Sequence, residues 1–145
     1  MWSDLEISGL WWVAHVAATW ALVGLIWTVQ LAVYPSFAWA DPARFAQWHA
    51  DYTRRIGMIV GPLMGIEAVT GVIWVWTHPE VAWAWVGLGL IGTIWVGTAV
   101  VQVPIHRRLG RRWDRELIAL LVKGNWVRTL VWTARGVLVV AVSWG

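Results

Sequence analysis

The sequence predicts an all-α membrane protein, one four-helix transmembrane bundle spanning residues 1–145. Three observations point to it. Four long apolar runs carry almost no charge, basic residues gather in two of the connections, and tryptophans cluster at the ends of the runs. Of the 145 residues, 59% are hydrophobic, well above the usage of soluble domains. A bilayer core needs about 20 mostly apolar residues per helical span, and four such spans fall near 9–34, 56–77, 82–104 and 125–143.

The first run, Ile7 to Ala40, holds no Asp, Glu, Lys or Arg. It is too long, and its leader with Asp4 and Glu6 too acidic, for a cleaved signal peptide, so it is expected to remain as a span. The second, Ile56 to Pro79, holds only Glu67, and the third, Val81 to His106, holds no such charge. The fourth, Trp126 to Gly145, carries only Arg128 and Arg135. Nothing remains from which to build a soluble domain.

Orientation follows from charge. Of the eleven Lys and Arg, nine lie in two segments: Arg44, Arg54 and Arg55, then Arg107, Arg108, Arg111, Arg112, Arg115 and Lys123. The opposite side carries Asp4, Glu6 and Glu80. The positive-inside rule then puts both basic segments in the cytoplasm and both termini outside, in a multi-pass protein of the cell's inner (plasma) membrane. The isoelectric point of about 10.2 reflects these short loops, which attract anionic membrane lipid. Nucleic acid is not an expected partner.

Tryptophan supports the same map. Trp2, Trp11, Trp12, Trp74, Trp76, Trp83, Trp85 and Trp144 fall at the outer ends, and Trp39, Trp48, Trp113 and Trp126 at the inner ends, as indoles at headgroup level do. Trp20, Trp27, Trp95 and Trp132 lie deeper.

The connections add two expectations. Asp41-Pro42 reads as a helix start, with Asp41 capping and proline in the first turn. The segments after Asp41 and from Arg107 to Lys123 read as short amphipathic cytoplasmic helices, the second joined to its span at Gly124-Asn125. Gly24-Leu-Ile-Trp27 leading to Pro35, and Gly92-Thr-Ile-Trp95 leading to Pro104, suggest a parallel 2+2 helix-hairpin repeat. In it His49 and His106 are expected to hold equivalent places.

Polar residues inside the membrane are the candidates for function, because burying them is costly. At about 1.5 Å per residue, Glu67 lies about 18 Å in from Arg55, and Arg135 about 15 Å in from Asn125. The two are expected to pair near mid-membrane. A second group gathers at the inner ends: Gln30, Tyr34, His49, Thr53, Gln102, His106, Asn125, Arg128 and Thr129. It predicts a polar pocket opening to the cytoplasm, while His15 and His78, at the outer ends, are expected to face solvent.

Motif chemistry is sparse. Cysteine is absent, which removes disulfides, thiolate metal sites and Fe–S clusters. No nucleophile elbow, phosphate loop or dinucleotide fingerprint occurs, and the sequence names no cofactor. His49 and His106 lack close ligand spacing, and Glu67, about 27 Å from His49 along one helix, cannot join them, so no metal is assigned.

The pattern Tyr34-Pro35, Gln47-Trp48-His49, Tyr52, Gly57 and Pro62, followed by Val103-Pro104-Ile105-His106-Arg107-Arg108-Leu109 and Asn125-Trp126-Val127-Arg128-Thr129, resembles the family of small four-helix membrane proteins that includes the fungal anthrone oxygenases. Where relatives tend to carry asparagine after the third-span proline, this chain has His106. The resemblance implies oxidation of a hydrophobic aromatic, an anthrone or phenol, by oxygen.

Three functions follow. An oxidoreductase would hold a lipophilic aromatic or quinone-like molecule among Trp27, Trp95 and Trp132, with Gln30, Tyr34, Thr53, Gln102 and Asn125 as further ligands. His49 or His106 would act as base, and Arg128 would stabilise the developing anion. A transporter or channel, expected to be a homo-oligomer, would use the Glu67 and Arg135 pair as a gate. A scaffold would use its polar residues only to join helices.

Overall fold

The computed structural model describes residues 2–144, with side chains from 9 to 143; Trp2, Asp4, Glu6 and Trp144 lie outside those described side chains. Among the described residues, four helices are long and apolar enough to cross a membrane: α1 (Gly9–Trp39), α2 (Pro42–Thr77), α3 (Ala82–Leu109) and α4 (Arg115–Ser143). The chain is an all-α four-helix bundle and a multi-pass membrane protein. Short connections make neighbours antiparallel. Helix α1 packs on α2 and α4, and α3 packs on the same two from the other side.

Two helices begin on an aspartate. Asp41 accepts from the Ala43 amide at 3.0 Å, with Pro42 in the first turn, as its sequence predicts. Asp114 accepts from the Glu116 and Leu117 amides at 3.1 and 3.2 Å, satisfying N–H groups that a helix leaves free at its start. The expected separate amphipathic helices are therefore not separate. Helix α2 runs unbroken from Pro42 through Pro62, and α4 passes through Gly124-Asn125 without a joint. A glycine costs a helix only about 1 kcal/mol, too little to break one held by neighbours on two sides.

Helices α1 and α3 share a device. Each widens into a π turn, Val29–Val33 and Thr98–Gln102, just before Pro35 and Pro104. The residue ahead of each proline donates its amide five residues back, Tyr34 to Val29 and Val103 to Thr98. A proline in a helix removes one donor and pushes against the carbonyl four residues earlier, and the wider turn absorbs both effects. Counted from the prolines, His106 matches Phe37 and not His49. The expected equivalence of the two histidines fails, because His49 starts α2 whereas His106 ends α3.

Three apolar clusters stack along the bundle. At the basic end Val29, Tyr34, Phe37, Phe45, Ile105, Leu109, Ile118 and Leu121 pack together. The middle holds Leu22, Ile26, Met64, Ile94 and Trp132, and the far end Trp74, Val75 and Ala84. Lipid is as apolar as leucine, so close packing and hydrogen bonds must hold the helices. Gly87 serves both: an added Cβ would stand 3.1 Å from Arg135 Nη1 and 3.2 Å from the Trp74 ring.

Candidate functional site

Polar side chains inside the bundle form two assemblies. The first lies within the spans, where Arg135 Nε donates to Glu67 Oε1 at 2.9 Å with both side chains fully buried. This joins α2 to α4 across the bundle. Glu67 also accepts from the Thr19 hydroxyl at 3.1 Å and from the Trp132 indole at 3.1 Å. Arg135 Nη1 donates to the Gly87 carbonyl at 2.7 Å, and its Nη2 lies 2.9 Å from His15 Nε2. All four helices thus meet at one ion pair.

His15 is a correction. Expected to face solvent, it is wholly buried, with Trp12 stacked on it at 5.4 Å. Its state follows from its partners: an arginine can only donate, so Nε2 accepts. Nδ1 then carries the proton and gives it to Thr70 Oγ1 at 2.7 Å, whose own hydroxyl donates to the Ile66 carbonyl at 2.6 Å. Neutral His15 thus gives the third nitrogen of a buried guanidinium an acceptor. His78 is exposed.

The second assembly lies at the basic end and has two parts. One is a knot between α1 and α4. Gln30 donates to the Val122 carbonyl at 3.1 Å and accepts from Asn125 at 2.9 Å and Thr129 at 3.4 Å. Gln30, Asn125 and Trp132 were expected among the substrate ligands; the knot occupies the first two and Glu67 the third, and none lines the cavity beside them.

The other part is that cavity, of about 460 Å³. It is lined chiefly by α1, α2 and α3, and its walls are mostly apolar: Leu25, Val29, Ile56, Val60 and Val103 among them. Tyr34, Tyr52, Thr53, His49, Gln102, His106 and Arg128 supply its polar surface. Thr53 turns its hydroxyl back to the Ala50 carbonyl at 3.0 Å. Tyr34 Oη stands 2.9 Å from His106 Nε2, and His106 Nδ1 3.0 Å from His49 Nε2.

Arg128 enters from α4. Its Nη1 donates to Asn125 Oδ1 at 3.1 Å, and its guanidinium carbon lies 5.0 Å from the centre of the Trp132 ring, a cation–π distance. The deep indoles do not form the expected cage. Trp27 donates to Thr133 Oγ1 at 3.0 Å, and Trp95 is 46% exposed on the outer face of α3.

Among the described residues, four buried polar atoms have no partner: His49 Nδ1, both amide atoms of Gln102, and Arg128 Nε. All belong to side chains that line this cavity. Sequence reasoning missed Phe37, which is fully buried and packs on His49, Phe45, Trp48 and Tyr52 at ring distances of 5.3 to 5.8 Å. Its place two residues after Pro35, matching His106, was the available signal. Among the described residues no group of three or more His, Asp or Glu side chains could hold a metal ion.

No protein-family model, curated protein or solved structure matches this chain.

Proposed function

We propose that the protein binds a lipophilic aromatic or quinone-like molecule in the cavity between α2 and α3 and oxidises it, with the basic end on the cytoplasmic side of a plasma membrane. The observation that carries this is that the three side chains bearing the unpartnered polar atoms all line one mostly apolar cavity. A buried donor or acceptor left without a partner costs about 1–3 kcal/mol, and four atoms on three neighbouring side chains multiply that cost. A ligand with a hydrocarbon body and an oxygen at one end would recover it.

The chemistry suits a molecule with an acidic proton. Arg128 Nε–H is free to donate to an oxygen on which negative charge develops. His106 acts as the base through Tyr34, which lines the cavity and whose hydroxyl stands 2.9 Å from His106 Nε2. With dioxygen as oxidant, as the resemblance implies, a ring methylene becomes a carbonyl: the carbon gains one oxygen atom, and the other leaves with the two methylene hydrogens as water. The open side between α2 and α3 would admit substrate from the lipid.

The ion pair supports a different role. Glu67 and Arg135 spend their hydrogen bonds on all four helices, which favours a lock over the gate of a transport path. The test uses protein purified in mild detergent from its native membrane. Organic mass spectrometry should find a stoichiometric aromatic in the wild type that is lost from Arg128→Gln, and added anthrone should drive oxygen uptake. An empty protein that consumes no oxygen with anthrone overturns the reading.

A further inference from the structure

Tyr34, His106 and His49 stand in series along the cavity wall. Tyr34 Oη lies 2.9 Å from His106 Nε2, and His106 Nδ1 lies 3.0 Å from His49 Nε2. The imidazole planes are 28° apart with centres at 5.2 Å. Two rings joined nitrogen to nitrogen in nearly one plane have this separation, so the proton of one is aimed at the lone pair of the other.

The two ends of the series differ. Tyr34, on α1, is buried, and its hydroxyl has His106 as its hydrogen-bond partner. His49 Nδ1, at the other end, is buried and unpartnered. It points toward Gly110, where an added Cβ would stand 3.9 Å away. Gly110 is exposed in the turn that ends α3, among the arginines of the basic end. Gly110 also lines the cavity, so a bulkier residue there would fill the space between the nitrogen and the surface.

Each neutral imidazole carries one proton, on either nitrogen, so the series has two self-consistent arrangements. In one, Tyr34 donates to His106 Nε2, His106 Nδ1–H donates to His49 Nε2, and His49 Nδ1 holds the last proton. In the other every hydrogen bond is reversed, and His49 Nδ1 is bare.

We propose that Tyr34, His106 and His49 form a proton relay along the cavity wall, from Tyr34 to the cavity's rim at Gly110. A proton leaving a ligand bonds to the Tyr34 oxygen as the tyrosine's own proton passes to His106 Nε2. His106 Nδ1 then gives its proton to His49 Nε2, and His49 Nδ1 releases one to water beside Gly110. One proton enters, one leaves, and no group is oxidised. The relay's purpose rests on the reading of the cavity as a substrate site, whereas its geometry does not.

The test is nuclear magnetic resonance on the full-length protein in lipid bilayers, with nitrogen-15 histidine and no ligand added. A scalar coupling between His49 Nε2 and His106 Nδ1 is expected across their shared proton. In Tyr34→Phe the tautomer populations of His49 should shift together with those of His106. In Gly110→Val the coupling should persist while exchange of the His49 Nδ1 proton with water slows several-fold.

Absence of the coupling in the wild type overturns the relay, a result that needs no variant to fold. A Tyr34→Phe response confined to His106 overturns it as well, and unchanged exchange in Gly110→Val overturns the exit at Gly110. If the coupling stands while no aromatic binds, the substrate reading fails and the relay survives.

Discussion

The ion pair within the spans and the cavity at the basic end are built from the same kinds of residue and treated in opposite ways. Glu67, Arg135, His15 and Thr70 use their hydrogen-bonding capacity on one another and on Thr19, Trp132 and Gly87. His49, Gln102 and Arg128, equally buried, leave four atoms without partners. In the first region polar groups join helices; in the second they remain available. Proteins that give up local stability tend to do so where they act.

This contrast can be broken most forcefully at the ion pair. Removing one member of a buried pair strands the other, at a cost of about 3–5 kcal/mol in soluble proteins. Arg135→Leu should therefore lower the unfolding free energy in detergent by about that much, and adding Glu67→Leu should restore part of the loss. If the double variant loses the sum of the single losses, the two residues are not a pair.

Gly87→Ala should cost less, about 1–3 kcal/mol, because its Cβ would crowd Arg135 Nη1 and Trp74 while the backbone carbonyl stays in place. His15→Leu should cost about 1–3 kcal/mol, since it leaves one arginine donor without an acceptor. Equilibrium unfolding in mixed micelles measures both. A neutral His15→Leu would show that the histidine is packing alone.

Smallest in stability, and most telling, is Gln102→Leu. It removes two unpartnered polar atoms from the protein interior and should leave stability unchanged or raise it. Removing a buried polar group that has no partner takes away a desolvation cost and breaks no bond.

The sequence carried the four spans, the Asp41 cap and the shared depth of Glu67 and Arg135, because each depends on spacing along one helix. It did not carry the facing of residues around each helix. In a soluble bundle a polar outer face marks the inside by contrast, whereas a bilayer leaves both faces apolar. Trp95 and Trp132 read alike, yet one is 46% exposed and the other wholly buried. His15 was misplaced for the same reason: its depth was legible, but not the turn of α1 that aims it at Arg135.

The cavity was legible in part. His49, His106, Gln102, Tyr34, Thr53 and Arg128 line it as a group, since all lie at the same depth. Gln30 and Asn125 share that depth but face each other across α1 and α4, a pairing fixed by helix rotation. Whether a polar atom finds a partner is set to within an ångström, and composition and periodicity do not reach that scale.

One measurement tests the central contrast directly: thermal unfolding of Gln102→Leu beside the wild type in mild detergent, with organic mass spectrometry on the same samples. The account predicts a variant at least as stable as the ligand-free wild type that no longer retains an aromatic. A less stable variant that still holds its ligand would contradict it, placing Gln102 among the residues that hold the bundle together.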